Sequence, residues 1–168
     1  MPVSALATPL ISEVLYDDEG SDDAAVFVEI SGASGTDLEG FFLQGVNGNG
    51  GALGPLLALR GTIPPDGIFV LADVTGSGFS KWQQVADQFL NFDFQNGPDS
   101  ILLLEGTVVR DALGYGMFDS GEVFAGEGTP AVDPPAGWSV SRRWADWDTQ
   151  DNGTDFVGLE EPSPGTAF

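Results

Sequence analysis

Gly137-Trp138-Ser139-Val140-Ser141-Arg142-Arg143-Trp144, followed after Ala145 by Asp146-Trp147-Asp148-Thr149-Gln150-Asp151-Asn152-Gly153-Thr154-Asp155-Phe156, is the stretch whose reading decides the fold. Residues 138–144 carry a strand pattern, an Asp- and Asn-rich loop reverses the chain, and Asp155-Phe156-Val157 returns as a short last strand. Pro164-Gly165 closes the block as a turn. Strand alternation sends Arg142 and Arg143 to opposite faces. One of them then sits beneath the 148–155 loop in a structural salt bridge, and the other points to solvent or a partner.

Working outward, residues 100–104 and 107–115 read as a hairpin about Glu105-Gly106. Residues 68–73, 56–60 and 38–46 read as further strands. Pro64-Pro65-Asp66-Gly67 and Asn47-Gly48-Asn49-Gly50-Gly51 supply the turns between them. Residues 8–16 and 24–31 form an opening hairpin about the acidic turn 17–23. In the first strand Leu10, Ser12, Val14 and Tyr16 share one face, with Ile11, Glu13 and Leu15 on the other. In the second, Val26, Val28 and Ile30 oppose Phe27 and Glu29. Phe79, Trp82, Val85, Ala86 and Phe89 break the pattern: their spacing predicts a short amphipathic helix over 79–91, with Ser80 as its cap. The expected fold is an all-β, immunoglobulin-like sandwich of about eight strands with one short inserted helix, a single domain over residues 1–168.

Charge narrows the partners. The chain of 168 residues has 26 Asp and Glu against 5 Lys and Arg, a net charge of −21, yet 42% of its residues are hydrophobic, too many for a disordered chain. Nucleic acid is disfavoured as a partner because phosphate is approached through Lys and Arg; anionic membranes are disfavoured for the same reason. No stretch is apolar over the roughly 18 residues that a membrane helix needs. The first ten residues lack the basic segment and apolar core of a signal peptide. The acidity itself suits a well-solvated surface, a divalent cation or a basic partner.

Ile11-Ser12-Glu13-Val14-Leu15-Tyr16, Val26-Phe27-Val28-Glu29-Ile30 and Asp37-Leu38-Glu39-Gly40-Phe41-Phe42-Leu43 precede Ser139, Arg142, Asp148, Asp151-Asn152, Asp155-Phe156 and Pro164-Gly165. In that order these pieces resemble the lamin tail domain, in the form found in bacterial members. The likeness departs at Phe41, where Trp is more usual, and at the unusually acidic Tyr16-Asp17-Asp18. The resemblance implies an immunoglobulin-like sandwich, and a binding or positioning module within a larger secreted or cell-surface protein. It also implies that the 146–155 segment is a structural closure.

Catalysis has few residues to draw on. The chain contains neither His nor Cys, so Ser-His-Asp and Cys-His centres cannot be built and zinc catalysis lacks its usual ligands. Paired carboxylates remain, as in a small acidic carbohydrate hydrolase, the alternative reading. Calcium, which takes roughly six to eight oxygen ligands, is the candidate cofactor. Asp146, Asp148, Asp151, Asn152 and Asp155 form one candidate set and Asp17, Asp18, Asp22 and Asp23 a second. The first does not follow the EF-hand loop, since Gln150, Asp151 and Val157 occupy its fifth, sixth and twelfth positions. The structural alternative is that these side chains cap turns and backbone amides. Gly45-Val46-Asn47-Gly48-Asn49-Gly50-Gly51 lacks the Lys and following helix of a phosphate loop and is a turn. Trp138, Trp144 and Trp147 offer a carbohydrate platform or, more ordinarily, core filler. The expectation is a non-catalytic, monomeric module whose partner is a protein or a surface glycan, with calcium-dependent adhesion as a further alternative.

Overall fold

Two sheets account for the chain in a computed structural model that describes residues 8–166; the first seven residues, on which the signal-peptide reading largely rests, lie outside it. β1 (Leu10–Leu15) and β2 (Phe27–Ser31) form the expected antiparallel hairpin, paired from Leu10 opposite Ser31 to Leu15 opposite Phe27 with a one-residue shift after Ile11. The same sheet adds β5 (Ile68–Asp73) and β6 (Gln88–Leu90) on one side, and β9 (Ser139–Arg142) and β10 (Phe156–Leu159) on the other. Its order is β10-β9-β1-β2-β5-β6. The second sheet has the order β4-β3-β7-β8, built from β3 (Phe41–Asn47), β4 (Leu53–Ala58), β7 (Asp99–Glu105) and β8 (Val108–Tyr115). Among the described residues the result is a β-sandwich of ten strands, the nine segments that the sequence pattern marks together with the short β6.

The core lies where the two inner faces meet. Val28, Ile30, Phe69, Leu71 and Val140 from the six-stranded sheet pack with Leu43, Leu57, Ile101, Leu103 and Leu113 from the four-stranded one. Each strand contributes alternate residues, as a pleated sheet with one face buried must. Tyr16 and Tyr115 stack across this core with ring centroids 4.0 Å apart. Their hydroxyls donate to the Asp133 carboxylate at 3.0 Å and the Gln95 carbonyl at 2.7 Å, so neither burial strands a polar group.

Two sequence expectations change. Strict alternation in β1 places Ile11 with Glu13 and Leu15, but a bulge between Ile11 and Glu13 turns Ile11 inward, into the core with Val14 and Tyr16. The helix over 79–91 is absent. A single turn forms there, closed by the Val85 and Ala86 amides on the Trp82 carbonyl, after which β6 pairs parallel to the edge of β5. The apolar side chains that suggest the helix do not share one buried face: Trp82 and Ala86 cover Phe27 and Val70, while Phe79, Val85 and Phe89 are exposed. The open edge of β5 recruits residues 88–90 as a strand instead. The one α-helix of the described residues is α1 (Asn152–Asp155), inside the Asp-rich loop.

Close approach fixes several glycines, Gly48 most tightly. A Cβ at Gly48 would lie 2.1 Å from the Pro98 carbonyl oxygen, whereas one at Gly54 meets nothing nearer than 3.6 Å. Gly48→Ala is therefore expected to destabilise the fold by about 1–3 kcal/mol. Gly54→Ala is expected to be neutral or to stabilise by up to about 1 kcal/mol. Urea denaturation of the two variants beside the parent checks both.

Candidate functional site

Arg142 ends β9 with its side chain fully buried, although a guanidinium cannot shed its charge. Its surroundings answer every donor. Nε donates to the Ile11 carbonyl at 3.0 Å, and Nη1 to the Trp147 carbonyl at 2.8 Å and to Asp155 at 3.2 Å. Nη2 donates to both oxygens of Asp111 at 3.0 Å. The guanidinium also lies over the Phe156 ring, 4.5 Å from its centroid, and Asp148 approaches Nη1 at 3.7 Å. This is the buried salt bridge that strand alternation predicts. Arg143 turns the other way, exposed, with its Nε donating to the Thr154 carbonyl.

The acidic loop is organised by the same logic. Asp155 accepts from the Thr149 amide at 2.9 Å and its hydroxyl at 2.7 Å as well as from Arg142. Asn152 is wholly buried: its carbonyl oxygen accepts from the Gly114 and Glu127 amides at 2.8 and 2.9 Å, and its amide group donates to the Ala112 carbonyl at 2.8 Å. Asp151 accepts from the Thr129 amide, and those Thr129 bonds hold its carboxyl below its usual range. Asp148 caps the Gln150 amide at 3.0 Å, and Asp146 is exposed. The first candidate set thus divides its oxygens among backbone amides, Thr149, Thr129 and Arg142.

In the 17–23 turn, Asp18 pairs with Lys81 at 2.9 Å and Asp22 caps the Asp18 amide at 2.7 Å. Asp23 donates its amide to Ser21 Oγ. Burial, reinforced by Asp22, Asp133 and Asp18, raises the Asp17 carboxyl. Among the described residues, the acidic group whose oxygens converge is a different one: Asp111, Glu127 and Asp148, all within 4.8 Å. Arg142 is the cation that meets two of the three, Asp111 and Asp148. Burial pushes the Asp111 carboxyl up and the guanidinium pulls against it. Burial, then the charges of Asp111 and Asp148, raises Glu127 to about 7.

Sequence reasoning missed Asp111 and Glu127. Asp111 leaves a usable trace, an acid at an inward position of the pattern Asp111, Leu113, Tyr115. Glu127 sits in the Gly-rich 121–137 loop, where periodicity carries no information.

The outer side of the same loop bears the second feature. Trp144 and Trp147 stack with centroids 4.4 Å apart and planes 18° from parallel, and remain 49% and 47% exposed. The expectation that they fill the core is overturned: the backbone at 144–147 crosses the end of the sandwich, leaving both indoles outside, while Trp138 stays half-buried. Together with Arg143, Gly153, Thr154 and Asp155 they line an open cavity of about 410 Å³. No carboxylate of the described residues pairs with Arg143. No protein-family model matches this chain, and neither does any curated protein or solved structure.

The interior half of the site makes a prediction about stability. Asn152→Ala strands two buried N–H groups and one carbonyl, and is expected to cost about 3 kcal/mol or more. Asn49→Ala, at an exposed turn, should stay within about 0.5 kcal/mol. Thermal and denaturant unfolding of the pair checks the contrast.

Proposed function

We propose that this chain is a non-catalytic, lamin-tail-like binding module of a secreted or cell-surface protein, and that it engages a neutral glycan through Trp144, Trp147 and Arg143. The observation that carries the reading is the exposed, parallel tryptophan pair. Indole faces are costly to leave in water and are rarely placed there by chance in pairs. Their flat apolar surfaces complement the C–H faces of pyranose rings. Arg143 adds donors suited to sugar hydroxyl oxygens, because only its Nε is engaged by the protein among the described residues. The net charge of −21 selects against polyanionic glycans and leaves neutral ones favoured.

The pocket is also held open in advance. The Trp147 carbonyl is fixed by Arg142, and Ser31 donates its hydroxyl to the Ala145 carbonyl, so the loop is tied at two points beneath the rings. Little ordering is then left for the ligand to bring about. Affinity electrophoresis against a panel of neutral and uronate-containing polysaccharides tests the reading. Retardation by at least one neutral polysaccharide is expected, with at least a tenfold loss in Trp144→Ala/Trp147→Ala and an unchanged melting temperature. Binding that survives in the double variant, or retardation by none of the panel, overturns it.

A further inference from the structure

Glu13 on β1 and Glu29 on β2 are cross-strand neighbours, and both residues are buried, 1% and 2% exposed. They project from the face of the six-stranded sheet that carries Leu15, Phe27 and Val70, away from the main core. Two carboxylates side by side in such a place demand donors or counter-charges. Donors are supplied. Glu13 accepts from Ser139 Oγ at 2.6 Å, from the Ser163 amide at 2.9 Å and from Ser163 Oγ at 2.9 Å. Glu29 accepts from Ser12 Oγ at 2.7 Å and from the Gly165 amide at 2.9 Å.

Three of these five bonds come from one turn, Ser163-Pro164-Gly165-Thr166. The Thr166 amide closes it on the Ser163 carbonyl at 3.1 Å, Pro164 is buried, and Gly165 takes φ +81°, the pattern of a type II turn. Counter-charge is missing. The ion pairs of Lys81, Arg110 and Arg142 are made with Asp18, Glu105, Asp111, Asp148 and Asp155, and none of the described cations pairs with Glu13 or Glu29. The charged groups that face the pair are all acidic. Asp66, in the β4–β5 connection, acts on Glu29, and Asp87, ahead of β6, lies close to Asp66. Glu160 and Glu161 precede the turn and are exposed, while β9 presents Ser139 and Ser141 to the pair and turns Arg142 toward Asp111.

We propose that the 163–166 turn is a pH-sensitive latch, docked on Glu13 and Glu29 in mildly acidic solution and released as the Glu29 carboxyl group loses its proton and the pair draws in water. The acid–base balance agrees with the geometry. Burial, reinforced by Glu13 and Asp66 and opposed by the Ser12 and Gly165 bonds, raises Glu29 to about 7 from 4.5. Glu13 is raised as well, by burial against the bonds from Ser139 and Ser163. Docking therefore retains a proton that the open, hydrated state gives up. Its stability is fully present below about 4.5 and is lost as the pH rises through 7. A proton on one oxygen of Glu29 leaves the other free to accept from Gly165. Opening exposes only this turn and the carboxylates beneath it, because β1 and β2 keep their own ladder.

Hydrogen exchange read by mass spectrometry on the full chain, at about pH 5.5 and about pH 8.5 and corrected for intrinsic rates, tests the latch. The Ser163, Gly165 and Thr166 amides are expected to lose protection roughly tenfold or more at the higher pH, while those of β1 and β2 do not change. In Glu29→Gln, which accepts a hydrogen bond without titrating, most of that loss should disappear. Ser163→Ala should lower protection at both values. Equal protection in the parent at the two pH values overturns the proposal, as does an undiminished loss in Glu29→Gln.

Discussion

The buried charge of Arg142 is the constraint on which the rest of the structure depends. A guanidinium taken out of water must be met by carboxylate and by an acceptor for each N–H, or the desolvation penalty dominates. Meeting that demand draws Ile11 of β1, Asp111 of β8, Asp155 of α1 and the Trp147 carbonyl to one point. Those groups span both sheets and the loop between β9 and β10. Asn152 extends the network into β8 and the Gly-rich loop, adding side-chain bonds to the few backbone bonds that anchor the long irregular segment before β9.

That anchoring links fold to surface. The residue whose backbone carbonyl is clamped by Arg142 is the residue whose indole stands in solvent at Trp147. One loop thus has a charged, saturated interior and an aromatic exterior, separated by the thickness of its backbone. The ties on the inside position the rings on the outside, the preorganisation that the proposed glycan face calls for. The buried acids on the far face of the six-stranded sheet follow a contrasting rule. Glu13 and Glu29 lack a cation and lean on neutral donors, whereas the acids around Arg142 share a permanent positive charge.

The sequence makes the fold legible where one face of a strand is buried, because periodicity and turn chemistry then coincide. The β1–β2 hairpin, the β7–β8 hairpin about Glu105-Gly106 and the Arg142/Arg143 division all follow from alternation. What escapes it is local. The bulge at the start of β1 is a single-residue slip that leaves no mark in composition, and β6 is defined by the open edge it meets more than by its own residues. At the candidate site, the capping roles of Asp148, Asp151, Asn152 and Asp155 are readable from residue type, but Asp111 and Glu127 come from segments far apart in the chain. Trp144 and Trp147 mislead because size and apolarity argue for burial, while the route of the backbone decides exposure.

A double-mutant cycle between Arg142→Met and Asp111→Leu tests the central claim most directly. Arg142→Met strips Asp111 and Asp155 of their cation, and Asp111→Leu leaves the guanidinium with Asp155 as its remaining buried carboxylate; each should cost about 3–5 kcal/mol, while the double variant should cost clearly less than the sum. Losses that simply add would contradict the account, since they would mean that the guanidinium and the carboxylate stabilise the sandwich independently.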